Sequence, residues 1–205
     1  RLIYSKGHAS EVLYAVLARA GYFPVQDLNT YGQPGTKFGS HVNTTVPGVE
    51  WSMGSLGHGL PVACGIALAL QKQGKPNKTF CVIGEGDLME GSTWEAVDFA
   101  ARHHLINLYV MIDHNKEITL EKEIDVNSAE KFRGFGFYGN TIDGHNTNKI
   151  VEEVTFASSV KHSPKFICCY TVKGKGISFM EQGGWHHRPP NKEEYEQAMK
   201  ELDVP

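Results

Sequence analysis

Residues 79–91 read TFCVIGEGDLMEG, residues 93–104 read TWEAVDFAARHH, and residues 108–112 read LYVMI. A short, wholly apolar strand, a turn with two glycines, a helical stretch and a second apolar strand form one β-α-β unit. Its strands carry no polar alternation, as expected when both faces of a parallel sheet are covered. The pattern continues downstream. Phe137–Ile142 reads as a weaker strand before a helix over Thr147–Val160, Phe166–Val172 as a fourth strand, and Asn191–Leu202 as an amphipathic closing helix. Upstream, Ser10–Ala20 has helical spacing and stops at Gly21, and Leu60–Gln71 is apolar on nearly every side, as a helix buried all round would be. Between them, Tyr31–Gly59 is irregular and rich in glycine, a length of loop that usually carries function. The expected fold is α/β, a mostly parallel central sheet with helices on both faces. Its ligand should lie beyond the carboxyl ends of the strands.

Composition excludes several classes. Twenty Lys and Arg against 23 Asp and Glu leave a net charge of −3 over 205 residues, without the basic stripe a nucleic-acid binder uses. No apolar run approaches a membrane span, and 40% hydrophobic content argues against disorder. Cysteines at 64, 81, 168 and 169 form no CxxC pair and read as buried free thiols, hence a cytoplasmic chain. Because the chain starts at Arg1 without Met or a signal pattern, it also reads as a segment lacking its natural beginning.

The chemistry concentrates after the first two strands of the repeating unit. Gly84 and Gly86 let a backbone approach a ligand closely, and the following helix offers an anion its free N–H groups. Glu85 and Asp87 in the same turn would repel a bare phosphate but suit a cation placed between carboxylate and phosphate. Asn115 follows the next strand and offers an amide oxygen, completing with phosphate oxygens the shell Mg²⁺ prefers. Two acidic turns with ordinary helix caps remain the plainer alternative at this point.

The flanks are more particular. Gly84 to Asn115 spans 31 positions, close to the Gly-Asp-Gly to Asn interval of thiamine-diphosphate enzymes. Around it stand Ser5-Lys6-Gly7-His8, the run from Gly48 to Gly59 with Gly54-Ser55-Leu56-Gly57-His58-Gly59, and Glu90-Gly91 with Trp94-Glu95-Ala96. Asp143-Gly144-His145, Thr171 to Gly176, Met180-Glu181 and Trp185-His186 follow in turn. In this order the set resembles the diphosphate-binding domain of the transketolase family over essentially the whole chain, and most of all the N-terminal subunit of split, two-chain transketolases. The resemblance implies a thiamine-diphosphate-binding fold, one diphosphate-binding domain over residues 1–205 with the family's earlier N-terminal part absent, and thiamine diphosphate and Mg²⁺ as cofactors. It implies Glu85, the Asn115 side chain and the Glu117 carbonyl as metal ligands, and cofactor contacts from Gly54, Ser55, Leu56, His58, Gly84, Gly86, Asp87 and Asn115. His8, His41 and His186 would handle substrate oxygens and protons, while Glu90 and Glu95 would link two active sites across a dimer interface.

Three departures from the family accompany the match. Glu85 stands where the family has Asp, so Asp87 could share the metal; the loop after Asn115 is short; and His187-Arg188 replace a glycine, adding bulk and charge on the substrate side. The second family domain, which grips the aminopyrimidine and supplies an activating Glu, is not in this sequence. The resemblance therefore implies one subunit, inactive alone, that moves a two-carbon ketol unit between sugar phosphates with a pyrimidine-domain partner, as a homodimer or heterotetramer. Two rivals stand beside it: a non-catalytic homologue acting as a binding or assembly module, and a thiamine-diphosphate enzyme of another reaction type.

Overall fold

The computed structural model describes residues 1–116, 127–186 and 188–202. Five strands, β1 (Leu2–Tyr4), β2 (Thr79–Gly84), β3 (Leu108–His114), β4 (Tyr138–Asp143) and β5 (Lys165–Tyr170), form one sheet in the order β1-β2-β3-β5-β4. Every pairing is parallel. The helices are α1 (Ser10–Arg19), α2 (Gly59–Lys72), α3 (Gly91–Arg102), α4 (Ser128–Gly134), α5 (Thr147–Ala157) and α6 (Lys192–Leu202). The sheet places Gly84 beside Asp113, and His114 beside Tyr170, so the carboxyl ends of β2, β3 and β5 open onto one region.

In-register neighbours of a parallel sheet point to the same face. On one face Ile3, Cys81, Ile83, Val110, Ile112, Phe166 and Cys168 meet Leu60, Ala63, Cys64 and Ala67 of α2, Ala96, Val97 and Ala100 of α3, and Phe132 of α4 in the main core. On the other face α5 lies across β4, β5 and β3. Phe156 meets Tyr138, Glu153 accepts from Asn140 Nδ2 at 2.9 Å, and Ser158 meets the Tyr109 hydroxyl at 3.1 Å. Adjacent Cys168 and Cys169 thus fall on opposite faces. All four cysteines are free and buried, with burial pushing the thiols of Cys64 and Cys169 up to about 12.

A second core joins α1 to the irregular segment. Leu13, Tyr14 and Leu17 pack on Phe23, Phe38, Val42, Val46 and Met53, and Tyr4 of β1 lies against them. This is why the segment after residue 31 holds a shape without regular structure: its apolar side chains turn into a core of their own, and the Tyr14 hydroxyl donates to the His41 carbonyl at 3.0 Å.

Several sequence expectations are corrected. The pattern gives no sign of β1, whose three residues are too few to show a period, or of α4, which lies in a stretch without helical spacing. β5 ends at Tyr170, two residues before the expected Val172, and α5 ends at Ala157 rather than Val160. Uniform apolarity predicts an α2 buried on all sides, yet only Gly59, Leu60, Ala63, Cys64 and Ala67 are buried, and Pro61, Gly65 and Ala69 face out. No helix among the described residues is long and apolar enough to cross a membrane.

Candidate functional site

Beyond the carboxyl ends of β2 and β3 lies a cavity of about 240 Å³ walled by Lys6, His8, His41, Gly54, Leu56, Gly84, Glu85, Gly86, Asp87, Asn115, Lys173 and His186. Five separate stretches of chain meet there: the turn after β1, the irregular segment, the turns after β2 and β3, and the loop after β5. The cavity brings together three of the four expected histidines (His8, His41 and His186), the three expected glycines and two of the three expected metal ligands. The third, Glu117, lies outside the described residues.

Asp87, expected among the cofactor contacts, lies at the cavity and also joins three segments of chain. Its side chain is wholly buried. Oδ1 accepts from Ser5 Oγ at 2.7 Å and from Gly57 N at 2.9 Å, while Oδ2 accepts from Gly84 N at 2.9 Å. The carboxylate ties the ends of β1 and β2 to the loop before α2. Gly57, at φ +76°, reaches this bond only because it lacks a side chain; a Cβ there would lie 2.5 Å from Glu90 Cβ and from Ser92 Oγ. His58 follows at the start of α2, exposed and outside the cavity. From this stretch Gly54 and Leu56 form the wall, and the ring of His58 does not enter it.

Glu85 stands on the wall with a side chain 9% exposed. Its Oε2 accepts from the backbone N–H of Asn115 at 3.0 Å and of Lys116 at 2.7 Å, and Oε1 lies 3.1 Å from His114 Nδ1. The longer side chain therefore crosses from the β2 turn to the β3 turn. Burial raises its pKa, opposed by His114 and the two N–H donors. His114 itself is buried edge-on against Tyr170, with ring centroids 4.5 Å apart.

An ion pair borders the cavity through Lys6. Lys6 Nζ donates to Asp113 Oδ2, while Asp113 also accepts from Thr171 Oγ1 at 2.5 Å and from Asn115 Nδ2 at 3.4 Å. Burial alone would raise the Asp113 pKa; the Lys6 ammonium and these hydrogen bonds outweigh it and hold the carboxyl below its ordinary value. Lys6 in turn acts on His8, whose pKa is lowered first by burial and then by that ammonium. His8 is thus held neutral near pH 7, able to donate at one ring nitrogen and accept at the other. Its ring lies 6.0 Å from that of His186, and His186 Nδ1 lies 2.7 Å from Lys173 Nζ.

Other expected residues lie elsewhere. Ser55, His58 and Glu95 line a separate, mostly apolar groove of about 680 Å³ with Trp51, Pro61, Cys64 and Phe99, between α2 and α3. Glu90 is exposed at the start of α3. Gly54 borders both groove and cavity. His145 has a structural bond: its Nε2 accepts from Val172 N at 2.8 Å and pins the loop that carries Lys173. Arg188 is not turned to the cavity; it pairs with Glu194 of α6 at 2.7 and 2.9 Å and stacks on Trp185, and His187 lies outside the described residues. The sequence motif contains Lys6 without indicating its role, and nothing in the pattern singles out Asp113 or His114. A lysine two residues before a site histidine is the available signal; the 107 residues separating Lys6 from Asp113 hide the pair.

The donor set suits an anion carrying its own cation. Mg²⁺ is commonly held by one or two carboxylates together with ligand phosphates. Among the described residues no group of three or more His, Cys, Asp or Glu side chains could hold a metal ion, so a cation between Glu85 and Asn115 would need oxygens from a ligand. Lys6 and Lys173 on the same wall supply positive charge for it.

A parallel α/β sheet with an acidic, glycine-lined turn after β2 and an amide after β3 defines the class: a protein whose ligand site lies at its strand ends. The chain belongs to the transketolase family: the model of the transketolase thiamine-diphosphate-binding domain matches residues 1–204. It is 40% identical over 210 aligned positions to the 6-deoxy-6-sulfo-D-fructose transketolase subunit SqwG of Clostridium sp. (strain MSTE9), covering 99% of this chain and 76% of that one. It is 38% identical to one of the subunits of the apulose-4-phosphate transketolase of Actinobacillus succinogenes, over 98% of this chain and 74% of the relative. The transketolase structure from Campylobacter jejuni superimposes on 98% of this chain with a TM-score of 0.90 at 31% identity, and the match spans only 33% of that longer chain.

Proposed function

We propose that this chain is the diphosphate- and Mg²⁺-binding subunit of a two-chain transketolase, working with a pyrimidine-domain partner to transfer a two-carbon ketol unit between sugar phosphates. The observation that carries the reading is the single cavity in which Glu85 and Asn115 face Lys6, His8, His41, Lys173 and His186. Relatives named as transketolase subunits, of which the match covers 76% and 74%, support the two-chain arrangement. We also infer that residues 1–205 form one diphosphate-binding unit, that the protein works in the cytoplasm, and that it assembles as a homodimer or heterotetramer. The groove between α2 and α3 supports the assembly. Trp51 is 49% exposed and Phe99 37% exposed on an apolar surface that also holds Glu95, and such surfaces mark contacts between proteins.

In this reading Glu85 and the Asn115 side-chain oxygen hold Mg²⁺, with the Glu117 carbonyl as third protein ligand, and the Gly86 N–H and the Gly84 turn receive the diphosphate. Gly54, Ser55 and Leu56 border the ring region of the cofactor. Thiamine diphosphate, when bound, supplies the electron sink that lets a bond beside a sugar carbonyl break. The chain's own side chains manage protons. His8, kept neutral by burial and by Lys6, and His41 on the cavity wall exchange protons with substrate hydroxyls. His186, held by Lys173, orients a substrate oxygen. Glu90 and Glu95 on the α3 face would meet the neighbouring subunit.

The test is reconstitution of the chain with its partner subunit, Mg²⁺ and thiamine diphosphate, followed by an assay for ketol transfer between sugar phosphates. Turnover that needs both chains supports the proposal; none, with both folded and associated, refutes it. One observation favours the non-catalytic alternative: both oxygens of the Glu85 carboxylate already have protein neighbours. Calorimetry decides between them. Heat on adding thiamine diphosphate that requires Mg²⁺ supports the enzyme reading, and its absence supports the binding or assembly module.

A further inference from the structure

The opposite end of the sheet, where β2, β3 and β5 begin, has a smaller cavity of about 190 Å³. Its wall includes Lys78 from the link before β2, Asn107 from the turn before β3, Tyr109, Ser158 and Lys161 from the turn after α5, and Lys165. Every charged residue on that wall is a lysine. Lys165 is the unusual member. It starts a central strand, is 1% exposed, and its ammonium donates to one carbonyl, that of Ile106, at 2.5 Å. An ammonium carries three protons, so one carbonyl leaves it under-used.

The neighbouring lysines are arranged about it, and among the described residues no carboxylate lines the cavity. Lys78 Nζ and Lys165 Nζ both lie against the Tyr109 ring, 5.3 and 5.5 Å from its centre. Lys78 Nζ donates to Ser158 Oγ at 2.6 Å, and Lys161 Nζ donates to the Ser158 carbonyl at 2.8 Å. Two flexible surface ammoniums are thereby folded back toward a buried third. Like charges held together repel, and the arrangement is stable when an anion lies among them. Burial, then Lys161 and Lys78, lower the Lys165 pKa to about 8. Asn107 Oδ1 is buried without a hydrogen-bond partner among the described residues, an acceptor that the O–H of a monohydrogen anion could satisfy.

We propose that this lysine cavity binds a small tetrahedral oxyanion of the phosphate class, at a site separate from the one at the carboxyl ends of the strands. The cavity has room for one such ion with water and offers donors from three lysine side chains, while the Ser158 hydroxyl, whose proton goes to the Val154 carbonyl at 2.7 Å, holds Lys78 in place. Phosphate recognition by ammonium groups needs no bidentate geometry, so lysine serves as well as arginine here.

The experiment is titration of the ¹⁵N-labelled chain with inorganic phosphate, read residue by residue from amide shifts. Amides of Asn107, Ser158 and Lys161 should move and saturate, whatever happens at Gly84 and Gly86, which report the other cavity. Lys78→Met and Lys161→Met are exposed substitutions that keep the fold, and each should weaken phosphate binding at this site about tenfold by removing one charged donor. A sugar phosphate is titrated in parallel; saturation by either ligand supports recognition of the phosphate group, and comparison of the two tells whether the free ion or the ester is preferred. The proposal is overturned if only the Gly84–Gly86 side responds. It is overturned equally if sodium chloride at matched ionic strength reproduces the shifts, or if the double variant binds as the unaltered chain does.

Discussion

Replacing Asp87 by Asn probes the joint on which the candidate site is built. The side chain is fully buried and accepts three hydrogen bonds, from Ser5 Oγ, Gly57 N and Gly84 N. An amide of the same shape has one acceptor oxygen. If its NH₂ takes the place of Oδ2 it confronts the Gly84 N–H, and if it takes the place of Oδ1 it confronts the Gly57 N–H. Either orientation leaves a buried backbone donor unpaired, at roughly 1–3 kcal/mol, and turns the remaining bonds from charge-assisted to neutral, at roughly 1 kcal/mol each. Neutralising a buried charge relieves some desolvation, so we expect a net loss of about 3 kcal/mol. With a urea dependence of about 2 kcal/mol per molar, the unfolding midpoint should fall by about 1.5 M at unchanged slope. Glu90→Gln, a neighbouring carboxylate that is exposed, should change stability by less than about 0.5 kcal/mol and serves as control. A fall of less than about 0.5 M for Asp87→Asn would refute the assignment of Asp87 as the tie between the three segments.

Further outcomes follow from other parts of the molecule. Glu85→Ala and Asn115→Ala should each weaken Mg²⁺-dependent binding of thiamine diphosphate by at least about tenfold, measured by calorimetry, since in the proposed arrangement each removes a ligand of a charge-rich site. Lys6→Met leaves Asp113 half-buried without its cation and should cost about 1–2 kcal/mol at pH 7, discounted from the buried-pair value because both side chains keep some solvent contact. Because Lys6 holds the Asp113 pKa below its unfolded value, that stabilisation is complete above about pH 4 and is lost as pH falls through the folded pKa; the gap between unaltered chain and variant in urea should close in acid. Lys165 has the opposite sign. Its folded pKa of about 8 lies below the unfolded value near 10.4, so the unfolded chain binds more protons between them and stability gains with rising pH over that interval. The raised thiols of Cys64 and Cys169 act the other way over the same range, so the measurement is the difference between the unaltered chain and Lys165→Met, which should shift in favour of the unaltered chain as pH rises from about 8 to about 10.

Placing the site at the strand ends gives the irregular segment a physical purpose. Gly54 and His41 reach the cavity because Phe38, Val42, Val46 and Met53 bury themselves against α1 in a second core. Local stability of that core, more than any property of the loop backbone, holds the histidine side of the cavity in place.

What the sequence determined by itself was what is local and repetitive. The apolar runs at 79–83 and 108–112, with glycines between strand and helix, dictated a parallel sheet, because only a strand covered on both faces tolerates continuous apolarity. The glycine-acid turn and the amide after the next strand marked the site, because strand ends are where such a sheet leaves backbone groups open to a ligand. Tertiary structure alone decided how charges were shared out. Glu85 and Asp87 stand in one turn and are chemically alike, yet one faces the cavity and the other is buried among donors from Ser5, Gly57 and Gly84. The Lys6–Asp113 pair, and the convergence of Lys78, Lys161 and Lys165 at the far end, join residues distant in the chain. Local pattern carries no signal for such meetings, because the partner of a buried charge is set by strand order and register and not by the residues beside it.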